Sequence, residues 1–293
     1  MIKYILGIIT ISLIGLLYRK IEKKYLEKQH YDLVSKYLIK GMPDTSKPIL
    51  WIYIPEDNNA RSWKNWGSRN TKDINISYIQ WTIESIIRQA RNDFNIYFIQ
   101  NESFSLLLPN WNVKLEKLAD PEKKNMTHYA LLQILYQYGG LLTPMSFIAL
   151  RPIIELYNYG MTNNTMFFVQ PSSFFLGCSS KCKKMELLLQ ELQELFSSHH
   201  TEYTSVKYKD ILYRSASQIP EQLMGTRDVH NNQIHLDKII SEQPVALHKD
   251  LFGFVIPTEQ ILRSTKYQWF AYVNTQDVLL MDNSLSKLLS KSK

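Results

Sequence analysis

Cysteine is nearly absent from this 293-residue chain, which has only Cys178 and Cys182. Two thiols four positions apart in a polar turn make no disulfide framework, and there is no second pair to complete a zinc site. Such sparing use fits a reducing compartment. Net positive charge is also scarce over most of the chain, although the formal net charge is +7. Residues 1–40 hold eight basic side chains (Lys3, Arg19, Lys20, Lys23, Lys24, Lys28, Lys36 and Lys40) against three acids (Glu22, Glu27 and Asp32). That is a net of +5, which leaves +2 for the other 253 residues. A nucleic-acid binder spreads a basic face over its folded domain, so no nucleic-acid partner is expected. Internal repeats and low-complexity tracts are missing as well. The histidine pairs His199-His200 and His230/His235 lack a third ligand at metal spacing and are expected to be exposed polar residues.

What is there begins with an apolar segment. From Tyr4 to Tyr18 no residue is charged, and most are Ile, Leu or Gly. As a helix these 15 residues span roughly 22 Å. That is short of a full bilayer core, but the stems of Lys3 and Arg19 extend it by snorkelling. No small-x-small cleavage site follows, and Arg19-Lys20 comes directly after the run. Residues 1–18 are therefore expected to be a single transmembrane anchor rather than a cleaved leader. Lys and Arg accumulate on its carboxyl side, so the folded part is expected to face the cytoplasm. Membrane lipids are the expected partner of residues 4–18 and of the basic stretch behind them.

Residues 19–44 carry charges with apolar residues at helical spacing (Leu26, Leu33 and Tyr37) and are expected to form a basic helical stalk and linker. Residues 45–293 are expected to form one α/β domain. Strands are predicted at Ile49–Ile54, Asn95–Gln100, Leu141–Ala149, Met166–Gln170, Ser173–Leu176 and Gly253–Ile256. Helices are predicted at Ile76–Ala90, Ser103–Leu108, Met126–Tyr138, Lys181–Ser198 and Thr275–Leu289. Alternation of the two predicts a mostly parallel sheet with flanking helices.

The run Leu135-Tyr136-Gln137-Tyr138-Gly139-Gly140 joins the long helix to a buried strand, and Leu150-Arg151-Pro152 lies downstream. Phe174-Phe175-Leu176-Gly177-Cys178 precedes another amphipathic helix. This succession resembles the GT-A fold, a Rossmann-like architecture. It is most similar to the glycosyltransferases with an Asp-x-Asp sugar-binding region, of the mannosyltransferase-like and capsular-polysaccharide-synthesis kinds. The resemblance runs from about Ile49 to Leu195. It implies a nucleotide-sugar donor and a divalent metal held by two aspartates after the Gly-Gly corner. Those positions are Pro144 and Ser146 here. Pro144 has no ligand atom in its side chain, and Ser146 has only a neutral hydroxyl, a poor partner for a hard cation. The resemblance also implies an Asp and an Arg early in the long helix, where His128 and Leu131 stand. The expected reading is thus a degenerate transferase with no metal and no cofactor, acting as a binding or structural component. The alternative is a metal-independent glycosyltransferase using a nucleotide sugar.

Under that alternative, Arg61, Arg69, Arg151 and His128 would face the diphosphate, and Trp63 and Trp66 would stack on a sugar. The aromatic segment Lys266–Tyr272 is the expected protein-partner surface if it does not pack on the domain. The whole arrangement also resembles a group of membrane-anchored, transferase-like proteins encoded by large DNA viruses. That resemblance implies a virion membrane as the alternative setting.

Overall fold

A computed structural model describes residues 11–18, 33–55, 76–119, 121–162, 165–170, 172, 174–197, 210–211, 214, 216–241 and 244–292. The chain separates into two compact units, Met1–Leu38 and Ile39–Lys293. In the first, residues 11–18 are helical, and Ile11, Leu13, Ile14, Leu16 and Leu17 are all exposed. Among the described residues no helix is long and apolar enough to cross a membrane. Residues 1–10 and 19–32, which hold the rest of the expected anchor and most of the stalk, lie outside the described residues.

The second unit is built on a six-stranded sheet. Strand β1 (Ile49–Tyr53) is buried along its whole length and pairs in parallel with β2 (Asn95–Ile99) on one side. On the other side it pairs in parallel with β3 (Gly140–Pro144). A strand buried on both faces needs apolar residues throughout, which is why ILWIY reads as a continuous run rather than an alternation. Helix α1 (Ser77–Ala90) makes the crossover from β1 to β2. The short α2 (Phe104–Leu107) and the long α3 (Glu122–Tyr138) lead from β2 to β3. After β3 a two-residue turn opens β4 (Phe147–Ala149), and α4 (Ile153–Met161) follows. Strands β5 (Met166–Phe168) and β6 (Leu176–Cys178) form an antiparallel pair, and β6 lies antiparallel to β3. Helix α5 (Lys183–Ser197) leaves β6, and the two-residue β7 (Ser217–Gln218) closes the far edge beside β5. The order is β2-β1-β3-β6-β5-β7, with three of its five pairings parallel.

The remaining elements are α6 (Leu236–Ile240), β8 (Gly253–Val255), α7 (Thr258–Arg263), α8 (Gln268–Tyr272), α9 (Asp277–Leu280) and α10 (Ser284–Lys291). Strand β8 pairs with β4 as a second, two-stranded sheet. One core cluster joins Trp51, Tyr53, Leu142 and Leu176 of the sheet to Leu131, Leu132 and Leu135 of α3 and to Met185, Leu188 and Leu192 of α5. Residues ahead of β1 already belong to this unit. The Ile39 N–H donates to Phe98 O, and the Asp44 N–H donates to the Tyr97 hydroxyl.

Two expectations change, and one unassigned segment gains a structure. The single strand expected over Leu141–Ala149 is two, because the chain turns at Met145-Ser146 directly after Pro144. Its second half leaves the main sheet for β8. The segment after Pro152, not assigned from sequence, is α4, started by a proline at its N-cap. The expected C-terminal helix over Thr275–Leu289 is broken into α9 and α10, because Asn283 caps α10 through a 2.8 Å bond from the Ser286 N–H to its side chain.

The Gly139-Gly140 corner sits at the amino end of β3. Gly139 has φ +70° and Gly140 φ +102°, conformations that a side chain disfavours. A Cβ on Gly140 would stand 2.2 Å from Ile49 O, and one on Gly139 would stand 2.6 Å from Ser180 N. Trp51, fully buried, donates its Nε1–H to Gly139 O at 2.9 Å. At the end of α3 the Gly139 N–H donates to Leu135 O at 2.8 Å, and the next carbonyl is met from far along the chain: the Lys181 N–H donates to Tyr136 O at 2.7 Å. The Lys181 Nζ reaches the Gln137 side chain and lies 4.8 Å from the Tyr136 ring centroid.

Candidate functional site at the carboxyl end of the parallel strands

Open α/β sheets bind ligands beyond the carboxyl ends of their parallel strands. In this sheet those ends are Tyr53, Ile99 and Pro144. The register places Tyr53 directly beside Ile99 and Pro144, so the three ends are level.

Four side chains gather there. Tyr53 closes β1, with its ring 6.2 Å from Phe104 and 6.2 Å from Phe174, both in stacked orientation. Its hydroxyl donates to Asn101 Oδ1 at 2.7 Å. Asn101 opens the single 3-10 turn after β2, held in place by the Gln100 N–H bonding to Ser103 Oγ at 3.1 Å. His128 lies in the amino-terminal half of α3, its ring centroid 4.7 Å from that of Phe174. Phe174 occupies the turn leading into β6, which starts at the carboxyl end of β3 because the two strands are antiparallel. The result is an aromatic and amide cluster that includes one imidazole. Its chemistry suits stacking on a ring and hydrogen bonding to hydroxyls.

The residues singled out from sequence fall into several groups. His128 joins this cluster, whereas Leu131, one turn further along α3, is 1% exposed and belongs to the core. Pro144 is half-buried at the strand end, and Ser146 is buried in the turn behind it. That turn is held on both sides. The Thr82 hydroxyl of α1 donates to Met145 O at 2.6 Å, and the Ile256 N–H donates to Ser146 O at 2.9 Å. Among the described residues, no three His, Cys, Asp or Glu side chains form a group that could hold a metal ion. Gly139 and Gly140 stand at the opposite end of β3, about 13 Å from Pro144 at the usual rise per residue.

Arg151 follows β4. It pairs with Glu155, donates to Asp250 O at 3.2 Å and lies 4.9 Å over the Phe252 ring. Arg61, Trp63, Trp66 and Arg69 lie outside the described residues. The buried Thr143 points its hydroxyl at no hydrogen-bond partner. His230 and His235 are exposed, and His199 and His200 lie outside the described residues. The aromatic segment Lys266–Tyr272 divides: Phe270 is buried and stacks 5.4 Å from Tyr78, while Trp269 and Tyr272 are exposed.

Sequence reasoning overlooked Tyr53 and Asn101 and used Phe174 only as part of a strand. A signal for Tyr53 was present, since Trp51 and Tyr53 alternate on one face of a strand whose end lies at the expected ligand edge. Asn101 carried none, because its place depends on the turn that follows β2. No family model, curated protein or solved structure matches the chain.

Proposed function

We propose that this is a membrane-anchored, glycosyltransferase-like protein that has given up metal-dependent sugar transfer for a binding or structural role. The β3–β4 corner carries the proposal. Where the resemblance calls for two metal-holding acids, the chain has Pro144 and Ser146, and the turn's backbone ties α1 to the β4–β8 sheet. A corner occupied in this way favours a scaffold. The exposed apolar residues of the helix at 11–18 support a membrane anchor, and the basic residues behind it support a cytoplasmic or virion-internal domain. Trp269 and Tyr272 are suited to a protein partner.

A second reading, metal-independent transfer from a nucleotide sugar, draws its support from the Tyr53, Asn101, His128 and Phe174 cluster, where a sugar could stack without a cation. Calorimetry on the full chain in detergent micelles separates the two. The probes are uridine and guanosine diphosphates and their sugar conjugates, with and without Mn²⁺. The expected result is no Mn²⁺-dependent binding. Micromolar binding that requires Mn²⁺ would overturn the proposal, and micromolar binding without metal, weakened by His128→Ala, would establish the second reading.

A further inference from the structure

The chain's two thiols sit at the other end of the sheet from this cluster. Cys178 closes β6, paired with Gly140 on one side and Met166 on the other. Cys182 immediately precedes α5. Between them the chain reverses over Ser179, Ser180 and Lys181, the last in the left-handed region at φ +54°. Both side chains turn into the same core cluster, where Cys178 is fully buried and Cys182 is 4% exposed. They interact directly with each other. Each is also held by a neighbour: Cys178 Sγ lies 3.1 Å from Ser179 O, and Cys182 Sγ lies 3.2 Å from Thr165 Oγ1.

Both are free thiols. We propose that Cys178 and Cys182 form a reversible intramolecular disulfide, a redox switch that locks the turn beneath the Gly139-Gly140 corner. A disulfide needs its two sulfurs brought together; the chain reverses between the two residues, and their side chains share one core cluster and a hydrogen bond. The pair is chemically asymmetric. Burial raises the Cys182 thiol, but Thr165 and the backbone N–H groups of Met185 and Lys184 outweigh it and hold the group below its ordinary value. Burial, and then the neighbouring Cys182, push Cys178 well up. Cys182 is therefore the attacking thiol. Exposed Lys181, Lys183 and Lys184 around it favour an anionic oxidant.

With a small disulfide such as oxidised glutathione, the Cys182 thiolate attacks one sulfur and expels one glutathione thiolate, leaving a mixed disulfide. Cys178 then gives up its proton and attacks the Cys182 sulfur, expelling the second glutathione. Two protein thiols lose two electrons, and one small disulfide becomes two thiols. Closing the ring fixes Ser179 and Ser180, whose backbone packs against Gly139. The switch is independent of any residual transferase activity.

The test equilibrates the full chain in detergent micelles with glutathione buffers of rising oxidised fraction, followed by acid quench, alkylation and mass spectrometry. In wild type, both alkylation sites should disappear together, with the mass lower by two hydrogens and no glutathione attached at the end point. C178A should stop at a single glutathione adduct on Cys182, and C182A should stay reduced. The oxidised wild type should melt a few degrees above the reduced form. The proposal fails if wild type keeps both thiols in the most oxidising buffer while its circular dichroism is native. It fails equally if wild type ends as a stable glutathione adduct, if C182A reacts as fast as C178A, or if the two forms melt together. The wild-type measurement decides on its own should either variant not fold.

Discussion

Replacing Gly140 with alanine tests the role assigned here to the Gly-Gly corner. The new Cβ would lie 2.2 Å from Ile49 O and 3.0 Å from Ile49 C. These are backbone atoms of the central strand β1, which pairs on both sides. They cannot swing aside as the tip of a flexible side chain would. At φ +102° the alanine would also sit in a region that costs an L-residue about 1–2 kcal/mol. Overpacking adds about 1–3 kcal/mol, so a loss of about 3 kcal/mol is expected. For a domain of this size that lowers the melting temperature by about 6–12 °C. The assay is thermal and urea unfolding of the full chain, followed by circular dichroism in detergent micelles. If the glycine were instead there to admit a ligand, alanine would leave the free protein nearly as stable as wild type. A Gly140→Ala protein within about 0.5 kcal/mol of wild type, a change typical of neutral surface sites, would refute the packing argument.

Four further outcomes are expected. Thr143→Val should raise stability by about 1 kcal/mol, because it removes a buried hydroxyl with no partner; urea midpoints measure this. Ser85→Ala should lower stability by about 1–3 kcal/mol, since the Ala149 N–H loses its acceptor at 3.0 Å inside the core. Gly177→Ala should be disruptive by a similar amount, because its Cβ would meet the Phe167 ring at 2.1 Å, and intrinsic fluorescence during unfolding would report the loss. The fourth concerns Tyr78, whose phenol is raised by burial and only partly relieved by its bond to Thr258. The folded state thus holds this proton more tightly than the unfolded chain does. Its contribution is complete below the ordinary tyrosine value, near pH 10, and is lost as pH rises above it. Tyr78→Phe should flatten the decline in stability above pH 10, and an unchanged slope would count against the assignment.

Much of this fold was legible where a single physical signal dominated. The continuous apolar run at β1 fits burial on both faces, and the repeats in α1, α3 and α5 fall close to their expected bounds. Legibility failed where the outcome depended on distant partners. Nothing local in Phe147-Ile148-Ala149 tells that it will leave the main sheet, since β8 lies about a hundred residues later. Helix α4 is short and carries Asn158 and Gly160, so its pattern is weak, and Gly160 is explained only by the Phe167 ring that a Cβ would meet at 2.4 Å. At the candidate site, His128 was named for its place in the helix, and the structure sets it against Phe174. The glycines were read as part of an active-site frame and stand at the far end of the strand from that cluster. Sequence position linked the corner to the chemistry, but the length of one strand separates them.

The bond from the Lys181 amide to Tyr136 O has a consequence for the order of assembly. A helix commonly finishes itself with a glycine cap supplied by the next residue or two. This one has that cap, the Gly139 N–H on Leu135 O at 2.8 Å, and takes a further donor, to Tyr136 O, from 45 positions downstream, across four intervening strands and another helix. During synthesis, the Tyr136 carbonyl must wait without this partner until the later hairpin has been made and brought alongside.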